Sequence, residues 1–251
     1  MNKFTRFLIV VALLFMGNQI FAQTNVYLNL GGALPTGDFA DGDDSGFALV
    51  DEDFTEGGAG MGFTAGLKFK FNTGVKGLGV ILSVDGIYNG LNSDVRDFFE
   101  DVEDEWEEEF DDFSMKTPKY LNVPLMVGAN YTYDVSPKFG IYGEAGLGAN
   151  LRYITKLELD GKGTYYGDTY KINLAVDYDP TFTLAYQLGA GIEINKSITI
   201  GINYYNLGAG KVSGKMKEKE TYNGSTDSDS EKFKYKRVTP TLVMLRVGFR
   251  F

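Results

Sequence analysis

Residues 241–251 read Thr-Leu-Val-Met-Leu-Arg-Val-Gly-Phe-Arg-Phe, and their alternation decides the fold. Val243, Leu245, Val247, Phe249 and Phe251 are all apolar, whereas the positions between them hold Met244, Arg246, Gly248 and Arg250. Successive side chains of a strand point to opposite faces, so this segment has one oily face and one small or charged face. In a membrane barrel the oily face must look outward, because a guanidinium among lipid tails costs about 2–4 kcal/mol at mid-depth.

Seven more segments repeat the period of two: Val26 to Leu30, Gly60 to Phe71, Leu78 to Tyr88, Leu121 to Tyr133, Phe139 to Tyr153, Phe182 to Ile194 and Ile198 to Tyr204. In the cleanest of them, Phe139, Ile141, Ala145, Leu147, Leu151 and Tyr153 oppose Gly140, Tyr142, Glu144, Gly146, Gly148 and Arg152. Two irregularities stand out. Ile81 falls on the polar side of its segment, and Pro124, which cannot donate a ladder hydrogen bond, predicts a bulge or local irregularity. With the terminal segment the strands number eight, and most reach the roughly 9–11 residues that a tilted membrane strand requires.

The connections alternate between short and long. Asn72 to Gly77, Asp134 to Lys138 and Asn195 to Ser197 carry turn chemistry, whereas Pro35 to Ala59, Leu91 to Lys119, Lys156 to Pro180 and Leu207 to Lys236 are long. This rhythm predicts an all-β fold, an eight-stranded antiparallel up-and-down transmembrane barrel with periplasmic turns on one rim and extracellular loops on the other. A soluble barrel would turn its oily face inward and coat the polar face with Lys, Glu and Thr. Here glycine dominates the polar face. Aromatic residues also gather near strand ends on the oily face (Phe69, Phe71, Tyr131, Tyr133, Tyr153, Tyr204), as interfacial girdles do.

The amino end opens with Lys3 and Arg6, then an apolar run from Phe7 to Met16, then Gly17 to Ala22. That run is far shorter than the roughly 20 residues of a spanning helix, so residues 1–22 read as a cleaved export signal and 23–251 as one barrel domain. Removing the two basic residues takes the formal charge from −10 to −12, which excludes nucleic acid as a partner because phosphates call for a basic surface. Cysteine is absent, so neither a lipid anchor nor a disulfide is expected. Histidine is absent too, which removes Ser-His hydrolytic arrangements and most transition-metal ligands; an enzyme is not expected.

The chain resembles the OmpA/OmpX-like outer-membrane β-barrel superfamily, and within it the PorT-like branch. The residues that carry the likeness are Gly31-Gly-Ala-Leu-Pro-Thr-Gly-Asp-Phe39, Tyr120-Leu-Asn-Val-Pro-Leu125, the Gly146/Gly148 strand and the terminal Phe251. The resemblance implies insertion into outer-membrane lipid by the barrel assembly machinery, with Phe249 and Phe251 as the assembly signal, in the outer membrane of a Gram-negative-type cell.

The polar faces place Lys68, Lys70, Asp85, Glu144, Arg152, Glu193, Arg246 and Arg250 in the lumen, with Glu144 and Arg246 at similar height and therefore expected to pair. An eight-stranded barrel is only just wide enough for its side chains, so such charges plug it. Asp41, Asp43, Ser45 and Glu52, with Gly46 between them, fit the spacing of a calcium loop, although no helices flank it. Calcium is the one cofactor the sequence suggests.

Between Asp94 and Asp112 lie twelve carboxylates, with Phe99, Val102, Trp106, Phe110 and Phe113 recurring at helical steps; two readings stand side by side, an acidic amphipathic helix lying on the barrel mouth or on a partner, and a solvated loop with its aromatic stripe packed on neighbouring loops. Self-repelling carboxylates on a mobile loop are a poor glycosidase pair. Gly60-Met-Gly-Phe-Thr-Ala65 mimics a dinucleotide fingerprint but sits inside an alternating strand, and Thr226 to Glu231 reads as a flexible loop tip. The resulting expectation is a non-enzymatic surface or structural barrel acting through acidic extracellular loops around a plugged, charged lumen. Its alternatives are an accessory barrel of a protein secretion system, with an extracellular or secretion-system protein as partner, and a narrow, porin-like conduit for small apolar solutes.

Overall fold

The computed structural model describes residues 24–42, 56–165 and 168–251; the proposed signal and most of the calcium-loop pattern lie outside them. Thirteen strands and one long helix follow in chain order. They are β1 (Thr24–Thr36), β2 (Ala59–Asn72), β3 (Leu78–Leu91), α1 (Ser93–Glu109), β4 (Asp112–Lys116), β5 (Tyr120–Ser136) and β6 (Phe139–Ile154). After them come β7 (Leu157–Tyr165), β8 (Asp168–Tyr178), β9 (Thr181–Ile194), β10 (Ile198–Asn206), β11 (Gly210–Tyr222), β12 (Ser225–Val238) and β13 (Thr241–Arg250).

Eight of these strands close a barrel in the order β1-β13-β10-β9-β6-β5-β3-β2, antiparallel throughout. The terminal strand closes it. Val247 pairs with Leu30 on one side and Ile200 on the other, so the first and last strands meet and no edge is left within the barrel. Side chains face as the alternation predicts: Leu184 is 81% exposed, Leu147 69% and Leu245 60%, whereas Met126 and Met244 are buried. An outward band this apolar can be satisfied only by lipid, since a soluble surface does not carry such a continuous patch.

Aromatic residues mark both edges of the band. Tyr131, Tyr133, Phe139 and Phe249 lie at the rim of the short turns, while at the other rim Phe63 stacks on Tyr88 at 5.1 Å and Tyr186 lies 6.1 Å from Tyr204. Ile81 points inward and is buried. At Pro124 the β3–β5 ladder skips from Val84↔Leu125 to Ile87↔Asn122 without changing register, and Pro124 still pairs with Asn150 on β6. The irregularity is therefore a gap in one ladder and not a bulge, as a missing N–H on one side of the strand requires.

Above the long-loop rim the chain does not lapse into loops. A second sheet, ordered β12-β11-β8-β7-β4, rises over the wall formed by β13, β10, β9, β6 and β5, each upper strand running into the wall strand beneath it. The segment 226–231, expected as a flexible tip, is the start of β12. Its turn explains why. Asn223 and Gly224, at φ 46° and 82°, link the paired residues Tyr222 and Ser225 in a two-residue turn that matches strand twist.

The inner face of this upper sheet is apolar near the barrel. Leu157, Leu159, Val176, Val212 and Val238 pack in one cluster with Phe39, Ile87, Tyr205, Leu242 and Met244 from the barrel. Helix α1 closes the remaining side, over β3, by inserting Val95 and Phe99 into the same cluster. At its start, the Asn92 side chain accepts from the Val95 N–H at 2.8 Å and donates to the carbonyls of Ala40 and Gly42. At its end, Trp106 stacks on Phe110 and contacts Phe113, and Phe110 meets Tyr170. The expected aromatic stripe is thus laid against the neighbouring sheet, with Glu and Asp facing water.

Candidate functional site

The interior has two layers. Around mid-height, Arg246 on β13 reaches across to Asp85 on β3 at 3.0 Å and to Glu144 on β6 at 3.6 Å. Lys68 on β2 pairs with the other Glu144 oxygen at 3.0 Å. Asn203 on β10 fills the angle between them: its Nδ2 donates to Glu144 at 2.8 Å, and its Oδ1 accepts from Arg246 Nε at 3.0 Å. The Tyr205 hydroxyl donates to the second Asp85 oxygen at 2.9 Å. All four charged groups are at most 5% exposed, and two positive and two negative charges leave the layer neutral. Burial would cost each ion several kcal/mol if it stood alone, so neutrality and a hydrogen bond to every charged group are what make the layer tenable.

Tyrosines line this layer. The Lys68 ammonium lies 5.3 Å from the Tyr142 ring centre and 5.7 Å from that of Tyr27, and the Arg246 guanidinium lies 5.5 Å from Tyr205. Tyr142 crosses the lumen only because Gly191 and Gly201 face it: a Cβ on either would stand 2.7 Å or 2.2 Å from its hydroxyl. Glycine on the polar faces therefore serves packing in a narrow interior. Nearer the short-turn rim, Tyr27 donates to Glu193 at 3.2 Å and Lys70 to Thr132 at 2.8 Å.

Lys68, Asp85, Glu144 and Arg246 thus form one network, with Lys70 and Glu193 just below it. The other two expected lumen cations lie apart. Arg152 is buried at the upper rim, where it donates to the carbonyls of Gly210 and Val238 at 2.8 and 3.2 Å, the first paired residues of the β11–β12 hairpin; it fastens that hairpin to the wall. Arg250 is exposed at the lower rim and donates to the Lys196 carbonyl at 3.1 Å. Phe249 and Phe251 are exposed at the same rim. Of the calcium-loop residues only Asp41 is described; Asp43, Ser45 and Glu52 lie outside the described residues. Among the described residues no group of three or more acidic side chains is placed to hold a metal ion.

Sequence reasoning missed Asn203, Tyr205 and Tyr27 as parts of the network. Asn203 was readable as polar-face, but nothing in its neighbours marks it as the residue that bridges two charges. Above the network, Met126, Met244, Leu242, Tyr205 and Ile87 fill the upper lumen and join the apolar cluster under the second sheet.

A closed barrel with an apolar exterior, aromatic rims and ions neutralised inside defines an outer-membrane β-barrel with charged residues buried in its interior. The chain belongs to the outer membrane protein beta-barrel domain family, whose model matches residues 8–251. It resides in the outer membrane of a Gram-negative-type cell, a setting of membrane lipid reached through barrel assembly machinery.

Comparison with curated proteins returned no match. Among solved structures, the chain is similar to Ail, the attachment invasion locus protein of Yersinia pestis in complex with the heparin analogue sucrose octasulfate (14% identity, 91% of this chain and 99% of that one, TM-score 0.40). It is also similar to a major outer membrane protein from Thermus thermophilus (13% identity, 91% and 99%, TM-score 0.42). A third similar structure is the outer membrane protein OprG from Pseudomonas aeruginosa (14% identity, 91% and 96%, TM-score 0.40).

Proposed function

We propose that the chain is a surface-structural barrel: a closed membrane anchor that presents a folded, charged ectodomain to partners outside the cell. The observation that carries this reading is the continuous apolar cluster running from Met126 and Met244 in the lumen to Leu159 and Val176 in the upper sheet, directly above the neutral ion layer. A lumen filled in this way is a core and supports a plug, not a path. The apolar upper lumen has the lining that a conduit for small apolar solutes needs, but Tyr205, Leu207, Leu242 and Met244 are fully buried there and leave the lining closed. The PorT-like resemblance supports a second reading, an accessory barrel of a secretion system.

One experiment separates the two. The full chain, extracted in mild detergent, is used as bait beside a version in which residues 211–237 are replaced by a short turn. Protein capture that depends on the hairpin supports the platform; a stoichiometric complex insensitive to the hairpin supports the accessory subunit; and no capture by either contradicts both.

A further inference from the structure

We propose that the outer face of the upper sheet holds the phosphate-bearing headgroup of an outer-leaflet glycolipid beside the barrel. The register places alternate residues of β4, β7, β8, β11 and β12 on each face. The inner face carries the apolar cluster and the acids Glu218, Glu220, Asp227, Asp229 and Glu231. The outer face carries at least nine lysines, Lys234 opposite Ser213 among them, against only Asp112, Glu158, Asp160 and Asp177. So sharp a division of charge across one sheet is not needed for solubility, which interspersed signs would give.

Three of those lysines are spent internally: Lys116 on Glu158 at 2.8 Å, and Lys156 and Lys217 on Asp177 at 2.7 and 2.5 Å. The others, Lys162, Lys171, Lys215, Lys219, Lys232 and Lys234, have no ion-pair partner among the described residues. Four of them oppose each other directly. Lys162 is the cross-strand partner of Lys171, and Lys215 that of Lys232, while Asp112 and Asp177 stand across from Lys162 and Lys215 on their other sides. Like charges directly opposite destabilise a sheet, and an anion seated between them reverses the sign of the interaction. Lys162, Lys171 and Lys219 also border a shallow depression of about 290 Å³ together with Ser114, Asn173 and Thr221, where three ammonium groups outnumber the carboxylates of Asp112 and Asp160.

The place of the face identifies the anion. It continues upward the lipid-facing surface of β5, β6, β9, β10 and β13, and Lys156 and Lys215 stand just above the aromatic rim at Tyr153 and Phe182. A lipid whose chains lie on Leu151, Leu184 and Ile202 therefore presents its headgroup to the lysines, which climb about 20 Å from that rim at roughly 3.4 Å per residue. A single phosphate would need only the lowest row; a phosphorylated saccharide headgroup uses the height. The inference rests on the surface-structural reading only for which rim faces outward.

The test uses the refolded full chain in phosphatidylcholine nanodiscs doped with bis-phosphorylated lipid A or with the same lipid after dephosphorylation, counting glycolipid retained per barrel by mass spectrometry. At about fivefold per lysine, K215Q/K232Q and K162Q/K171Q should each lower retention of the phosphorylated lipid at least fivefold. K76Q/K138Q, on the opposite rim, should leave it unchanged, and the dephosphorylated lipid should not be enriched. Equal retention by the lysine variants, an equal loss in K76Q/K138Q, or equal retention of the phosphate-free lipid would overturn the proposal. So would lysine-dependent binding of dextran sulfate without lysine-dependent lipid retention, since the face would then serve a soluble polyanion. Heat-dependent gel mobility verifies folding of each variant, and because protein capture is read on the hairpin replacement, either reading can fail alone.

Discussion

Arg246 and Asp85 lie 161 residues apart in the chain and 3.0 Å apart across the lumen. Removing one partner of such a pair leaves an uncompensated buried charge, so Arg246→Met is expected to destabilise the barrel by about 3–5 kcal/mol. The double variant D85L/R246M keeps the neutral Lys68–Glu144 pair and should recover most of that loss. Urea unfolding in lipid vesicles reads both. A double variant no more stable than the single one would show that the two charges do not act on each other.

Val247 faces lipid and Met244 faces the lumen, and the alternation alone predicts that arginine should be tolerated at the second far better than at the first. The structure changes that expectation. Met244 is fully buried in the apolar cluster, so Met244→Arg places a charge in a packed core and is costly too. Val247→Arg should still cost about 2–4 kcal/mol near mid-depth. The two costs differ in their response to bilayer composition: thinning the bilayer should relieve Val247→Arg and leave Met244→Arg unchanged in the same unfolding assay.

Asn92 both caps α1 and ties its start to Ala40 and Gly42. The last turn of α1 contains no basic residue and ends in Glu107, Glu108 and Glu109, which oppose the helix dipole. The helix is therefore held by its cap and its packing. Asn92→Ala should cost about 0.5–2 kcal/mol and should shift and quench the fluorescence of Trp106, the single tryptophan, before the barrel itself unfolds. Unchanged emission across the transition would refute this.

Hydrogen bonds from Lys156 and Lys217 hold the Asp177 carboxyl below its usual pKa range. A depressed folded-state pKa contributes stability above the unfolded value, about 3.9, and that stability is lost as pH falls through the folded value. The upper sheet should accordingly loosen below about pH 4 while the barrel persists. Amide exchange in β7, β8 and β11 would report it. Asp177→Asn should raise exchange at neutral pH and reduce its rise on acidification, the remainder coming from Glu158 and Asp168, whose carboxyls are also held below their usual range by hydrogen bonds from Lys116 and Tyr222.

The barrel was legible because lipid and lumen make opposite demands on alternate residues, so segments such as Phe139–Ile154 announce both strand and facing. The second sheet was not, because outside the membrane both faces of a strand can be polar: Lys217-Glu-Lys-Glu220 alternates two kinds of charge, not oil and water. Its one local signal was the Asn223-Gly224 dipeptide between two polar runs. Glu144 and Arg246 were expected together because both lie near mid-strand on polar faces. Arg152 carried the same signature yet sits beneath the β11–β12 hairpin, since its height on β6 puts it above the ion layer and under a sheet that the sequence did not reveal.

A surface-structural barrel requires a closed lumen. Refolded chain inserted singly into a planar bilayer in 1 M KCl, a condition of about 3 Å screening length, should leave the conductance at the level of the empty membrane, and D85L/R246M should do the same while the apolar cap is intact. Discrete, sustained conductance steps from the wild-type chain would contradict the plug and the surface-structural role built on it.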